Sequence, residues 1–181
     1  MATIKEIRIQ AQLLSSIQID PATAYHWATD EMLNIAAEYP RAGVYTKETV
    51  TTTTAFETYM PARKLIKLDK VIELSTGRLT TDFELHREEL TISVPGQYEI
   101  RYYSYPDIPQ TDTEQIDIPR QYVVPLKFYL AARIRARLFG QNDANAVSFI
   151  QEYNEKMKKA DITTDTVVSR HRRMPPGRRD V

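Results

Sequence analysis

Apolar residues recur at helical spacing from the start of the chain. Ile4, Ile7, Ala11 and Leu14 share one face, and Thr3 and Glu6 stand at capping-box spacing, so residues 3–15 predict a short helix. Ile9 and Leu13 fall on the far side and predict a second covered surface. Asp20-Pro21 supplies an N-cap and a proline for the first helical position of a second helix. Its core stripe is Ala24, Tyr25, Ala28, Met32, Ile35, Ala36 and Tyr39, and Pro40 and Gly43 stop it. Trp27 sits off that stripe, beside Glu31, Asn34 and Glu38.

From Val44 to Tyr105 the period changes to two. Thr49–Thr54, Lys64–Leu68, Val71–Ser75, Asp82–His86, Leu90–Val94 and Tyr98–Tyr103 predict short strands. Gly77 marks a turn, and Pro95-Gly96 predicts a tight hairpin between the last two strands. Alternation along "YEIRYYSY" sends Tyr98 and Tyr102 to one face and Arg101 and Tyr103 to the other. A polar, proline-punctuated connector follows, "SYPDIPQTDTEQIDIP".

A helix over about 119–139 comes next, interrupted or kinked at Pro125 and stopped by Gly140. Leu126, Leu130, Ile134 and Leu138 run up one side, and Phe128, Ala132, Ala136 and Phe139 up another. That pattern predicts burial on two sides. Arg133 and Arg137 form a narrow polar stripe, with Arg135 elsewhere. Asn142 or Asp143 caps a last amphipathic helix reaching about Ala160, built on Ala146, Val147, Phe149, Ile150, Tyr153 and Met157. The fold class read from this order is α+β: a mainly helical bundle of about four helices, an inserted small antiparallel β domain and an extended C-terminal tail. The boundaries are 1–43 for the N-terminal helices, 44–105 for the β domain, 106–118 for the connector, 119–160 for the C-terminal helical hairpin and 161–181 for the tail.

Composition changes this picture at one place. The 181 residues carry no net charge, yet residues 169–181 hold five arginines against Asp180 alone, leaving the body acidic. The tail, "SRHRRMPPGRRDV", buries too little apolar surface to offset its ordering entropy and is expected to order only against a neighbour. Its basic end fits an acidic surface. The candidate docking residues are Arg170, Arg172, Arg173, Met174, Pro175, Pro176, Arg178 and Arg179. The candidate subunit contacts are Trp27, Arg101, Tyr103, Arg133, Arg135 and Arg137, since aromatic and arginine side chains anchor interfaces.

Chemistry is sparse. With no cysteine there is no disulfide, thiol nucleophile or thiolate metal site. Glycine is scarce and no phosphate-cradling motif occurs. Glu84, His86 and Glu88 alternate in "FELHREEL" and read as a solvated strand face in preference to a metal site. Ser169 and His171 are too close in sequence to form a positioned nucleophile and base. No enzyme, cofactor or metal is expected. The chain starts with a charged segment lacking an apolar run, so no signal peptide is expected, and no stretch is apolar enough for a membrane span.

Two N-terminal helices lead into a β insertion ending "GQYEIRYYSYPDIP". An acidic connector then leads to "IDIPRQYVVPLKFYLAARIRARLFGQNDANAVSFIQEYNEKMKKA". In this order of parts the chain resembles the head-to-tail adaptor (connector) proteins of tailed double-stranded DNA bacteriophages, over roughly residues 3–160. The resemblance implies a virion protein of the head–tail neck, assembled in the host cytoplasm. It implies a ring, commonly of twelve copies, below the portal protein, which extends the DNA channel and carries the stopper or tail-completion protein. Viral DNA would pass through without sequence-specific binding, and the C-terminal tail would reach into the portal. The alternatives are another neck or tail-completion ring protein, or a nucleic-acid-binding module using the arginine-rich tail.

Overall fold

The computed structural model describes the backbone of residues 2–171 and the side chains of residues 2–162. It is a mixed α+β fold of four α-helices and a small antiparallel β part.

Helix α1 (Ile4–Ser15) opens on the expected capping box: Glu6 N–H donates to Thr3 Oγ1 at 3.2 Å, and Thr3 N–H to Glu6 Oε2 at 3.0 Å. Ile4, Ile7, Ala11 and Ser15 are its buried residues. Leu14, expected in the core, is 39 % exposed, because the stripe continues at an i, i+4 step to Ser15. Ile9 and Leu13 are exposed, so the second surface expected on this helix is uncovered in the single chain.

Helix α2 (Pro21–Glu38) is capped by Asp20, which accepts from Thr23 N–H at 2.9 Å. Its buried positions match the predicted stripe at Ala24, Ala28, Met32, Ile35 and Ala36, with Thr29 and Glu31 added. A single 3-10 turn (Pro40–Ala42) then hands the chain to the β part.

Seven strands form two antiparallel sheets. One has the order β1 (Val44–Thr52), β7 (Gly96–Ser104), β3 (Leu65–Glu73), β4 (Arg78–Leu79), and the other β2 (Glu57–Tyr59), β6 (Glu89–Ile92), β5 (Phe83–His86). Val50, Leu65, Val71, Tyr98, Ile100 and Tyr102 of the first sheet share one core with Leu90 and Ile92 of the second. Three expectations change here. Lys64–Leu68 and Val71–Ser75 are one strand, β3, which absorbs two register irregularities against β7. The expected hairpin at Pro95-Gly96 does not form: β7 pairs on both edges with β1 and β3, and Pro95-Gly96 carries the chain from one sheet to the other. Glu88 leaves the face of Glu84 and His86, because the strand ends at His86 and the chain reverses through Arg87, whose φ is 55°. Glu88 instead lies 3.7 Å from Lys64 Nζ.

The connector is less solvated than its composition suggests. Ile116 and Ile118 are buried in the helical core, and Thr3 and Gln115 form a β-bridge. Lys5 N–H donates to Asp112 O at 2.8 Å, and Tyr25 Oη to Pro109 O at 2.5 Å. The segment straps α1 and α2 from outside because two isoleucines alternate with acids and so present one apolar edge.

Helix α3 (Arg120–Phe139) runs without interruption through Pro125, which lies one turn inside the helix and is buried. Gly140, at φ 89°, ends it with its N–H donating to Ala136 O at 3.0 Å. Tyr122, Val123, Leu126, Leu130, Ala131 and Ile134 join residues of α1, α2 and α4 in one helical core. The expected two-sided burial holds for the first four turns only, since Leu138 and Phe139 are each 59 % exposed.

Helix α4 (Ala144–His171) continues well past Ala160. Between Ala160 and His171 there is no proline or glycine, so nothing in the sequence breaks the helix. The extended geometry expected from residue 161 therefore does not hold for residues 161–171. Arg170 lies on this helical backbone, whereas Arg172, Arg173, Met174, Pro175, Pro176, Arg178 and Arg179 lie outside the described residues.

Candidate functional site: an aromatic–arginine groove on the helical face

Helices α3 and α4 frame an open groove of about 560 Å³ on the side of α2 that carries Trp27. Three of the six predicted contact residues meet there. The Arg133 guanidinium lies 5.0 Å from the Trp27 ring centroid and that of Arg137 lies 6.0 Å away, a cation–π pair on a single indole. Arg133 also lies 5.9 Å from the Tyr129 ring. Both arginines are exposed, and no carboxylate among the described residues forms an ion pair with either. Ala132 and Ala146 floor the groove, and Val147 and Ile150 form its apolar wall. The spacing 133, 137 on α3 against 27 on α2 brings these groups together, since residues four apart lie one above the other on a helix.

Sequence reasoning missed what holds the groove in shape. Glu31 is buried at 8 % exposure on α2 and ties α2 to α4: the Tyr153 hydroxyl donates to Glu31 Oε1, and Asn34 Nδ2 to Oε2 at 3.3 Å. Burial, then the Glu31 carboxylate, pushes the Tyr153 phenol strongly upward. Tyr129 stacks on Tyr153 at 5.7 Å between ring centroids. The signal was an acid at i+4 from Trp27 on a helix facing a tyrosine from elsewhere, and that long-range pairing is invisible in one dimension.

Arg135 does a different job from its neighbours. Its Nε and Nη2 donate to Asp143 Oδ1 and Oδ2 at 2.7 and 3.0 Å, a bidentate pair. Asp143 also caps α4, accepting from Ala146 N–H at 2.9 Å. Arg135 is thus a staple across the α3–α4 turn within the chain, apart from the groove that Arg133 and Arg137 share. The Arg135 guanidinium and the Ala146 N–H lower the Asp143 carboxyl from 3.8 to about 2. An aspartate depressed by folding adds stability above its unfolded value and loses it as pH falls through the folded value. Asp143→Asn is therefore expected to flatten the stability loss between about pH 4 and pH 2, readable as a thermal midpoint against pH. A variant that keeps the wild-type acid slope would contradict the assignment.

Arg101 and Tyr103 lie far from the groove in the fold, on the outer face of the larger sheet. Tyr98 and Tyr102 point inward and are buried, as the alternation predicts. Outside, Tyr45 and Tyr103 stack at 5.1 Å, the Tyr45 hydroxyl donates to Asp69 Oδ2 at 2.8 Å, and Arg101 pairs with Glu99. Burial and Asp69 raise the Tyr45 phenol to about 12. Arg101 is internally paired, so this face is a polar mosaic with less to offer a partner than the groove.

No group of three His, Cys, Asp or Glu side chains among the described residues is placed to hold a metal ion, and no described helix is long and apolar enough to cross a membrane. Compared with known proteins, the chain matches no protein-family model and no curated sequence.

Proposed function

We propose that this protein is a structural subunit of a head-to-tail adaptor ring in a tailed double-stranded DNA bacteriophage. In this reading its four helices pack as a bundle beside their ring neighbours. The ring sits below the portal protein, extends the DNA channel and presents a platform to the stopper or tail-completion protein. Residues 172–181 act as the docking strap. The chain works by binding and by shaping a channel, without turnover.

The observation that carries this reading is the unfinished surface of the helical part. Ile9 and Leu13 on α1, Leu138 and Phe139 at the end of α3, and Val147 and Ile150 on the groove wall are large apolar side chains at 37–76 % exposure in a chain of only 181 residues. Clustered exposed apolar surface beside unpaired arginines is what a protein–protein contact needs, with apolar area for affinity and cations for register. The β part adds a separately cored module with a charged outer face, suited to projecting from such a ring.

The strap is tested by truncation. A chain ending at His171 retains every described helix and strand. It is expected to keep its circular dichroism spectrum and to lose attachment to the portal protein of the same genome. A truncated chain that still docks would remove the tail from the account.

A further inference from the structure

Two exposed apolar surfaces lie on different flanks of α3. Helices α1 and α4 both pack on α3 and hardly touch each other, so the outer face of α1 and the Trp27 groove are separate surfaces. On α1, Leu13 is 76 % and Ile9 44 % exposed, one turn apart on the same face. Their end of the helix is electronegative. The last turn of α1 holds no lysine or arginine, so the helix dipole has no compensating side chain there. Gln12 Nε2 donates to Ile19 O at 3.1 Å, folding the following loop back on α1 and bringing the exposed Asp20 to that end. The groove carries the opposite pattern: apolar walls at Val147 and Ile150 beneath Arg133 and Arg137, neither paired with a carboxylate among the described residues.

We infer that the α1 end of one copy docks in the Trp27 groove of the next, Leu13 seating against Val147 and Ile150 while Arg133 and Arg137 meet the Asp20 end of the helix. This names the subunit contact of the ring and rests on the ring reading above. The occupant follows from charge. A groove-to-groove pair would bring four guanidiniums together, and the five-arginine tail carries the same sign as the groove. The α1 end is apolar and electronegative at once, and a second copy supplies it. A contact between two different patches of one chain is heterologous, and it propagates copy to copy until the rotation closes a ring.

The chain has no cysteine, so cross-linking can be site-selective. Gln10 on α1 and Gln151 on the groove rim are both exposed. The full-length double variant Gln10→Cys/Gln151→Cys, treated at high concentration with a short bismaleimide, is expected to give a ladder of dimer, trimer and larger species. Each single-cysteine variant is expected to stay monomeric, and the two singles mixed are expected to stop at dimer. Adding Leu13→Asp, or Arg133→Glu with Arg137→Glu, to the double variant is expected to abolish the ladder. All three positions are exposed, so the fold is retained, which circular dichroism checks. A double variant without a ladder, or Gln10→Cys alone cross-linking as well as the mixture, would overturn the inference. The two readings fail separately. A ladder in a protein that ignores the portal keeps this contact and removes the portal. A stoichiometric portal complex without a ladder keeps the adaptor and removes this contact.

Discussion

Leu126→Ala is expected to lower the stability of the helical part by about 2–5 kcal/mol. Leu126 is fully buried in the first half of α3, the helix against which both α1 and α4 pack. Truncating it removes apolar contact on several sides at once, and the neighbouring Ile4, Ile7 and Leu130 belong to different turns and helices that cannot all collapse into the space. Trp27 is the single tryptophan and packs, partly buried, against the helical core, so its fluorescence in a urea titration reads this part of the chain directly. The β part has a core of its own around Ile100 and Tyr102. A loss below about 1 kcal/mol would show that α3 is not the centre of the helical packing.

Glu48→Ala is expected to destabilise the β part on the order of 2 kcal/mol, at about 1–3 kcal/mol for each buried group left unpaired. Glu48 lies on β1 and faces inward, opposite the alternation expected of a charged residue. Its two oxygens accept from the Tyr102 and Tyr59 hydroxyls, and Oε2 also from Ala62 N–H at 3.3 Å. Tyr102 is wholly buried and Tyr59 lies on the second sheet, so one carboxylate ties the two sheets and the corner between them. Burial and Glu48 push the Tyr102 phenol up to about 12. Alanine leaves the Tyr102 hydroxyl with the longer 3.4 Å contact from Arg63 N–H alone. Glu48→Gln keeps an acceptor for one phenol and is expected to fall between the two. Equal stability of wild type and Glu48→Ala in denaturant titration would contradict this role.

Glu48 and Glu31 also mark where reading the sequence stops. Local signals were legible: the Thr3–Glu6 capping box, the Asp20-Pro21 start, the Gly77 turn, the Gly140 stop and the inward Tyr98 and Tyr102 are all set by residues within a turn or a strand of one another. These two inward-facing carboxylates are satisfied by tyrosines 11, 54 and 122 residues away, so their placement cannot be read locally. The Pro95-Gly96 segment looked like a hairpin because turn chemistry was present. Pairing was decided instead by β7, whose alternating apolar residues on both sides of Arg101 find partners in β1 and β3. At the candidate site, Trp27, Arg133 and Arg137 stood out as an aromatic on a polar face and a narrow cationic stripe, and the fold brings them together. Arg135 stands apart from that stripe in the sequence, and it points toward Asp143 because two residues along a helix turn a side chain by more than half a circle.

The central claim is that this chain is one member of a ring built against a portal. Its most direct test is the mass of the full-length protein in solution, alone and mixed with the portal protein of the same genome. The account predicts a single large complex in the mixture, holding many copies of this chain in fixed ratio to the portal. A chain that keeps its own mass in the presence of the portal would contradict it.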